Sequence, residues 1–190
     1  MGARTPLRAP TRRGTFVAAC TAVLAFAFAT TASAAELGID MQVQQQDEWC
    51  WAASGDTIAT FLGHGTDQNS FCDLAIGQDT SQQCPNQAGQ LAWDQNAFQS
   101  LGISPGVESG AVGFDQIVSD IDAGHPLETG ISWTAGGGHA EVIYGYDSAS
   151  QTISFGDPWP DDQRMNQMDY NSYVSNDQFT WDDTLSQIGA

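Results

Sequence analysis

Trp49-Cys50-Trp51-Ala52-Ala53-Ser54, with three glutamines from Gln44 to Gln46 just upstream, opens a helical pattern. Trp51, Gly55, Ile58 and Phe61/Leu62 recur at the i, i+4, i+7 and i+10/i+11 spacing of one apolar helix stripe. Ala52, Ala53, Ser54 and Gly55 are small enough to let such a helix lie close against a neighbouring layer, and Gly63-His64-Gly65 ends it. Cys50 therefore falls in the first turn. There the unpaired backbone N–H groups and the positive end of the helix dipole favour negative charge, and so favour thiolate, the reactive form of cysteine. Cys50 is a candidate nucleophile.

Outward from that stretch, residues 1–34 read as a secretory signal peptide. Arg4, Arg8, Arg12 and Arg13 lead into an apolar run from Phe16 to Phe28, and Ala32-Ser33-Ala34 supplies a cleavage site after Ala34. A secreted, extracellular location follows as the expectation. The 156 residues from Ala35 to Ala190 suit one domain with a sizeable core, and they hold no second apolar stretch able to span a bilayer. They keep Arg164 as the one basic residue against 23 Asp and Glu, a formal charge of −22, with no lysine anywhere. That field argues against nucleic acid, and against an anionic membrane once the signal is gone, because both need clustered cations.

Three cysteines remain after the signal, Cys50, Cys72 and Cys84, an odd number in an oxidising compartment. Cys72 and Cys84 lie in a polar stretch, 66–86, read as loop, where a bridge across about a dozen residues contributes roughly 3 kcal/mol on the chain-entropy model. Pairing them leaves Cys50 free.

Before Cys50, Leu37 to Val43 reads as an extended lead beside the helix. After the loop, Gln87 to Leu101 is moderately helical, and Gly113 to Ala123 more clearly so, with Phe114, Ile117, Val118 and Ile121 at i, i+3, i+4 and i+7. The texture then becomes strand-like over Leu127 to Trp133, His139 to Tyr146 and Thr152 to Asp157, with a further strand or two expected beyond Pro160. Helices first and strands later indicate α+β.

A cysteine nucleophile needs a base, a group that orients the base, and donors for the oxyanion. Of the three histidines, His64 follows a helix end and His125 sits in a Gly-His-Pro turn, both ordinary surface or capping places. His139 follows Gly136-Gly137-Gly138 and opens a strand, where the glycines allow close backbone approach and the strand holds the ring. Asp157, at the end of the neighbouring strand, offers a carboxylate to the far ring nitrogen. Gln44, six residues before Cys50, offers a side-chain amide as oxyanion donor, with Gln45 and Gln46 as neighbouring alternatives.

Taken in order, Gln44, Cys50-Trp51-Ala52-Ala53-Ser54, Gly137-Gly138-His139-Ala140, Gly145-Tyr146-Asp147 and Asp157-Pro158-Trp159 resemble the bacterial papain-like cysteine peptidases, relatives of bacteriocin-leader-processing and plant-pathogen effector peptidases. The resemblance implies a papain-like α+β fold over 35–190, the Cys helix facing an antiparallel sheet, and a peptidase acting through a thioester acyl-enzyme. By it, Cys50 is the nucleophile, His139 the base, Asp157 the orienting residue and Gln44 the oxyanion donor, with no metal and no cofactor. The expected partner is a protein or peptide substrate, and the expected state a monomer.

Two features depart from that pattern. Strand alternation puts Glu141 on the same face as His139, where such families carry an apolar residue. Only 15 residues separate Ala35 from Cys50, so control by an internal pro-segment is not expected. Two other functions fit a secreted chain of this kind: a cell-wall amidase or other thiol amide hydrolase, and a non-catalytic binding domain of the same fold.

Overall fold

Ser33 to Ala190, with Met1 and Gly2, are described by the computed structural model of the chain; the expected signal peptide lies almost wholly in 3–32, outside the described residues. Seven strands form one antiparallel sheet. They are β1 (Ala34–Glu36), β2 (Pro105–Ser109), β3 (Leu127–Trp133), β4 (Gly138–Asp147), β5 (Thr152–Gly156), β6 (Met165–Asp169) and β7 (Phe179–Ile188), in the order β2-β7-β3-β4-β5-β6. β1 pairs with 145–147 of β4, past Ile143 where the pairing of β4 with β3 stops. Of the residues flanking the expected cleavage point, Ala35 pairs with Tyr146 and Glu36 with Gly145, and the Glu36 carboxylate accepts from Ser154 and Gln167.

Five helices flank the sheet: α1 (Cys50–Phe61), α2 (Gln68–Ile76), α3 (Leu91–Ser100), α4 (Phe114–Asp122) and α5 (Tyr170–Val174). Strand alternation divides the apolar residues between two cores. Ala140, Val142, Tyr144 and Leu185 pack with α1, α2 and α3, whereas Leu127, Ile131, Ile143, Ile153 and Trp181 pack with α4 and α5. The architecture is α+β, with the N-terminal helices on the sheet, as the element pattern indicates. No helix among the described residues is long and apolar enough to cross a membrane.

α1 departs from its expected single stripe. Every residue from Trp51 to Ala59 is buried, because the helix is held between layers. Ser54 Oγ donates to the carbonyl of Ala140 on β4 at 3.2 Å, while a Cβ at Gly55 on another side would fall 2.3 Å from the Phe71 ring of α2. The expected lead does lie beside this helix: Gln42 donates from its backbone to Thr57 Oγ1 and from its side chain to Asp56.

The stretch 66–86 is not all loop. It contains α2, capped by Asp67, whose side chain accepts from the Ser70 N–H at 2.9 Å, and closed by Gly77 at φ 71°. Cys72 therefore sits on a helix rather than in a loop. It is bridged to Cys84, with a Cα–Cα distance of 6.0 Å, and Cys50 is free.

Candidate active site

Cys50 is the first residue of α1, and no side chain caps that helix end. The N–H groups of a helix's first turn have no intrahelical acceptor, and here no cap side chain takes them. Two indoles fix the approach. Trp49 Nε1 donates to Pro85 O at 2.9 Å and Trp51 Nε1 to Gln87 O at 3.1 Å, tying the start of α1 to the 85–87 segment. Gly89 is required there, since a Cβ would lie 2.3 Å from the Trp51 ring.

Across a cleft of about 760 Å³ from Cys50 stands His139. The turn before it is closed by Gly136 N–H donating to Trp133 O and Trp133 N–H donating to Gly137 O, at 2.9 and 3.0 Å. Gly136 and Gly137 take φ of 95° and 87°, a left-handed backbone that explains the glycines. Nothing crowds a Cβ at either, so close approach is not their reason. The turn sets His139 opposite Ile131 and stacks its ring on Trp133, with Trp159 edge-on.

The strand pairing β4–β5 brings Asp157, one residue past β5, to that ring. His139 Nε2 and Asp157 Oδ1 are 2.8 Å apart, both side chains buried. The same Oδ1 accepts the Trp159 N–H at 2.8 Å, an Asx turn made by Asp-Pro-Trp. Arg164 closes the loop by donating to the carbonyls of Asp157 and Trp159. Burial pushes His139 down, but the hydrogen bond to Asp157, the hydrogen bond and charge of Cys50, and the charge of Glu141 outweigh it and raise the imidazole from 6.5 to about 10. With Nε2 engaged by Asp157, Nδ1 is the ring nitrogen left for the thiol.

Gln44, the expected oxyanion donor, has its side-chain amide engaged within its own turn in this structure. It is the buried one of the three glutamines, Gln45 and Gln46 being exposed, but its Nε2 donates to Gln46 O and Asp47 O at 2.9 and 2.8 Å. Both amide protons are thus spent on the turn that leads into Cys50, and Gln44 does not line the cleft. Two backbone carbonyls thus compete with an oxyanion for its donors. His64 is exposed and His125 Nδ1 meets Ile188 O at 3.0 Å; neither lines the cleft.

The acids of the cleft wall were not singled out by spacing, whereas Glu141 was. Asp47 and Glu48 line one side of the cleft and Asp162, Asp182 and Asp183 are also in its wall, whose described residues include no lysine or arginine. Glu141, next to His139 on its face, is buried and accepts from Tyr173. The donor atoms of His139, Glu141 and Asp157 lie within 4.8 Å of one another, and protons already bridge His139 to Asp157 and Tyr173 to Glu141.

Two more acids are buried among α1, α3 and β3. Asp94 and Glu128 are fully buried, and none of their four carboxyl oxygens has a hydrogen-bond partner among the described residues. Burial pushes both well above the ordinary carboxyl range; Asp94 is raised further by Glu128 and Cys50, and Glu128 by Cys50 and Asp183. Both are thereby biased toward the neutral form. The raised folded values fix the sign. Their favourable contribution is full below the ordinary values of 3.8 and 4.5, and is lost as pH climbs toward the folded values. Urea midpoints of the wild type should therefore fall, as pH rises above the ordinary carboxyl values, more steeply than those of Glu128→Gln or Asp94→Asn. Parallel slopes would mean that these acids are ionised in the fold.

Comparison with known proteins follows the same lines. A family model described as papain-like cysteine protease AvrRpt2 matches residues 31–178. No curated protein matches. The peptidase domain of Streptococcus ComA, a bi-functional ABC transporter involved in a quorum sensing pathway, superposes with a TM-score of 0.54 at 15% identity, covering 76% of this chain and 95% of that one. A double glycine motif protease from an AMS/PCAT transporter, solved in complex with the leader peptide, gives 0.50 at 13% identity, over 80% and 93%. At such identities the two structures show a shared fold. The family match spans most of the chain and includes Cys50, His139 and Asp157, and by it the chain belongs to the AvrRpt2 family of papain-like cysteine proteases.

Proposed function

We propose that this cysteine peptidase is secreted, loses residues 1–34, and acts as the domain 35–190 to cleave peptide bonds through Cys50, His139 and Asp157. The thiolate of Cys50 attacks the carbonyl carbon, and His139 gives its proton to the leaving amine as the thioester forms. Water, deprotonated by His139, then attacks the thioester and releases the acid and the thiol. Asp157 holds the tautomer and orientation of His139 throughout. Charge on the carbonyl oxygen develops against the N-terminus of α1, where the Cys50 N–H is free, while Gln44 braces the turn that aims it. The reaction needs no metal and no cofactor, because the thiolate supplies the nucleophile and the helix end the stabilising dipole.

The observation that carries this reading is the buried 2.8 Å His139–Asp157 bond across a cleft from a free cysteine at a helix N-terminus. Peptide rather than cell-wall amide is favoured by the neighbour of the same fold solved with its leader peptide. The acids in the cleft wall further favour basic peptides, through an attraction that salt screens. A peptide-library digest under reducing conditions tests both points. Cleavage is expected, enriched for Lys and Arg around the scissile bond at low ionic strength, with the enrichment shrinking as salt rises. Folded protein that cleaves cell-wall amides and no peptide would establish the amidase; no hydrolysis at all would establish a binding domain.

A further inference from the structure

Glu141 is a carboxylate that the proposed reaction does not use, buried beside the base. Its place is built. Tyr173, from α5, donates its hydroxyl to Glu141 Oε2 at 2.6 Å, and the same hydroxyl lies 2.7 Å from Thr129 Oγ1 of β3, the residue paired with Glu141 in the sheet. The Tyr173 ring is itself fixed among Phe155, Phe179 and Trp181. This chain of bonds aims one buried carboxyl at a site that already holds Asp157, and its nearest oxygen lies within 4.8 Å of the donor atoms of both His139 and Asp157. A carboxyl so close to a buried charge pair is costly unless it acts on that pair.

We propose that Glu141 is a positioning residue for the base, a second carboxylate behind the His139–Asp157 pair that holds His139 in its charged form at alkaline pH. The proposal rests on the reading of His139 as general acid and base. The titratable groups facing Glu141 are His139 on its own strand, Asp157 and Asp162 after β5, and Tyr173 on α5. Burial raises Glu141 from 4.5 to about 7, while the Tyr173 bond and His139 lower it and Asp157 and Asp162 raise it. Tyr173 is itself pushed above its ordinary value by burial and by Glu141, so it stays a donor. Below neutrality, then, Glu141 is protonated and Asp157 is the one carboxylate that holds the imidazolium. Above it, Glu141 is an anion and adds a second attraction, in the direction that raises His139.

The test is the alkaline limb of kcat/KM. Glu141→Gln keeps the shape and the acceptor for Tyr173 but removes the charge, and should move that limb down by up to about one pH unit, with Glu141→Asp intermediate. A lowered kcat with the alkaline limb unmoved would overturn the proposal and leave Glu141 a packing residue. An NMR titration of the His139 ring supplies a second readout that needs neither turnover nor a variant. The wild-type ring should show an inflection near neutrality, from Glu141, well before its own deprotonation; a single titration step would equally overturn the proposal. Because this reads the charge on His139 directly, it stays decisive even where no peptide is cleaved, an outcome that would remove the peptidase reading alone.

Discussion

Cys50→Ser is expected to lose essentially all peptide hydrolysis, a drop on the order of 10⁴-fold or more, with the fold unchanged. The substitution replaces one atom at the first position of α1 and disturbs neither indole anchor, since Trp49 and Trp51 bond to Pro85 and Gln87 independently of the thiol. What changes is the nucleophile. A thiol gives up its proton to a neighbouring imidazole readily, whereas a serine hydroxyl does not without an arrangement tuned for it. Thermal unfolding and turnover measured on the same preparation separate the two effects. Residual activity near wild type in Cys50→Ser would assign the chemistry to another group.

His139→Ala ranks next, with a loss on the order of 10²–10⁴ for proton transfer alone. Adding it to Cys50→Ser should cost almost nothing more, because residues that act as one unit are not additive. Its pH signature follows from the raised imidazole. A folded value of about 10 against an ordinary 6.5 means that the stability gained from charging His139 is full below 6.5 and is lost as pH rises through about 10. The proton donor for the leaving amine persists over the same range, so the alkaline limb of kcat/KM should lie near pH 10. Asp157, the strongest of the influences that raise His139, should move the limb furthest when changed to Asn, and Glu141→Gln by less. The reverse order would exchange the roles of the two carboxylates.

Much of this was legible in the sequence, for reasons that differ by element. β3, β4 and β5, with α3 and α4, could be placed from their apolar periodicity, and the pairing that brings Asp157 to His139 followed from two adjacent strands and the short loop between them. α2 was hidden because part of its buried face is polar. Gln68 is buried, accepting from the Gln45 N–H and donating to Val43 O and Gln42 Oε1, so hydrogen bonds replace the apolar residue a periodicity search looks for. β2 begins at Pro105-Gly106, where a Cβ on Gly106 would lie 2.4 Å from Ser186 O; the glycine that reads as a strand breaker is there because β7 passes so close.

The site divides in the same way. Cys50, His139 and Asp157 each had a local signal, a helix start, a glycine turn before a strand and an Asp-Pro-Trp turn. Gln44 had only its distance along the chain, which does not say where its two protons go. Strand parity put Glu141 beside His139, but its donor, Tyr173, comes 32 residues later on a five-residue helix, and no pattern near Glu141 announces it. Asp94 and Glu128 look like ordinary surface acids in sequence and are fully buried in the fold.

The most direct test of the account is to treat the non-reduced protein with a thiol-directed peptidase inhibitor and map the adduct by peptide mass. One adduct on Cys50, an intact Cys72–Cys84 bridge and slowed labelling in His139→Ala are the predicted result. Cys50 found in a disulfide, or no adduct on a folded and reduced sample, would contradict it.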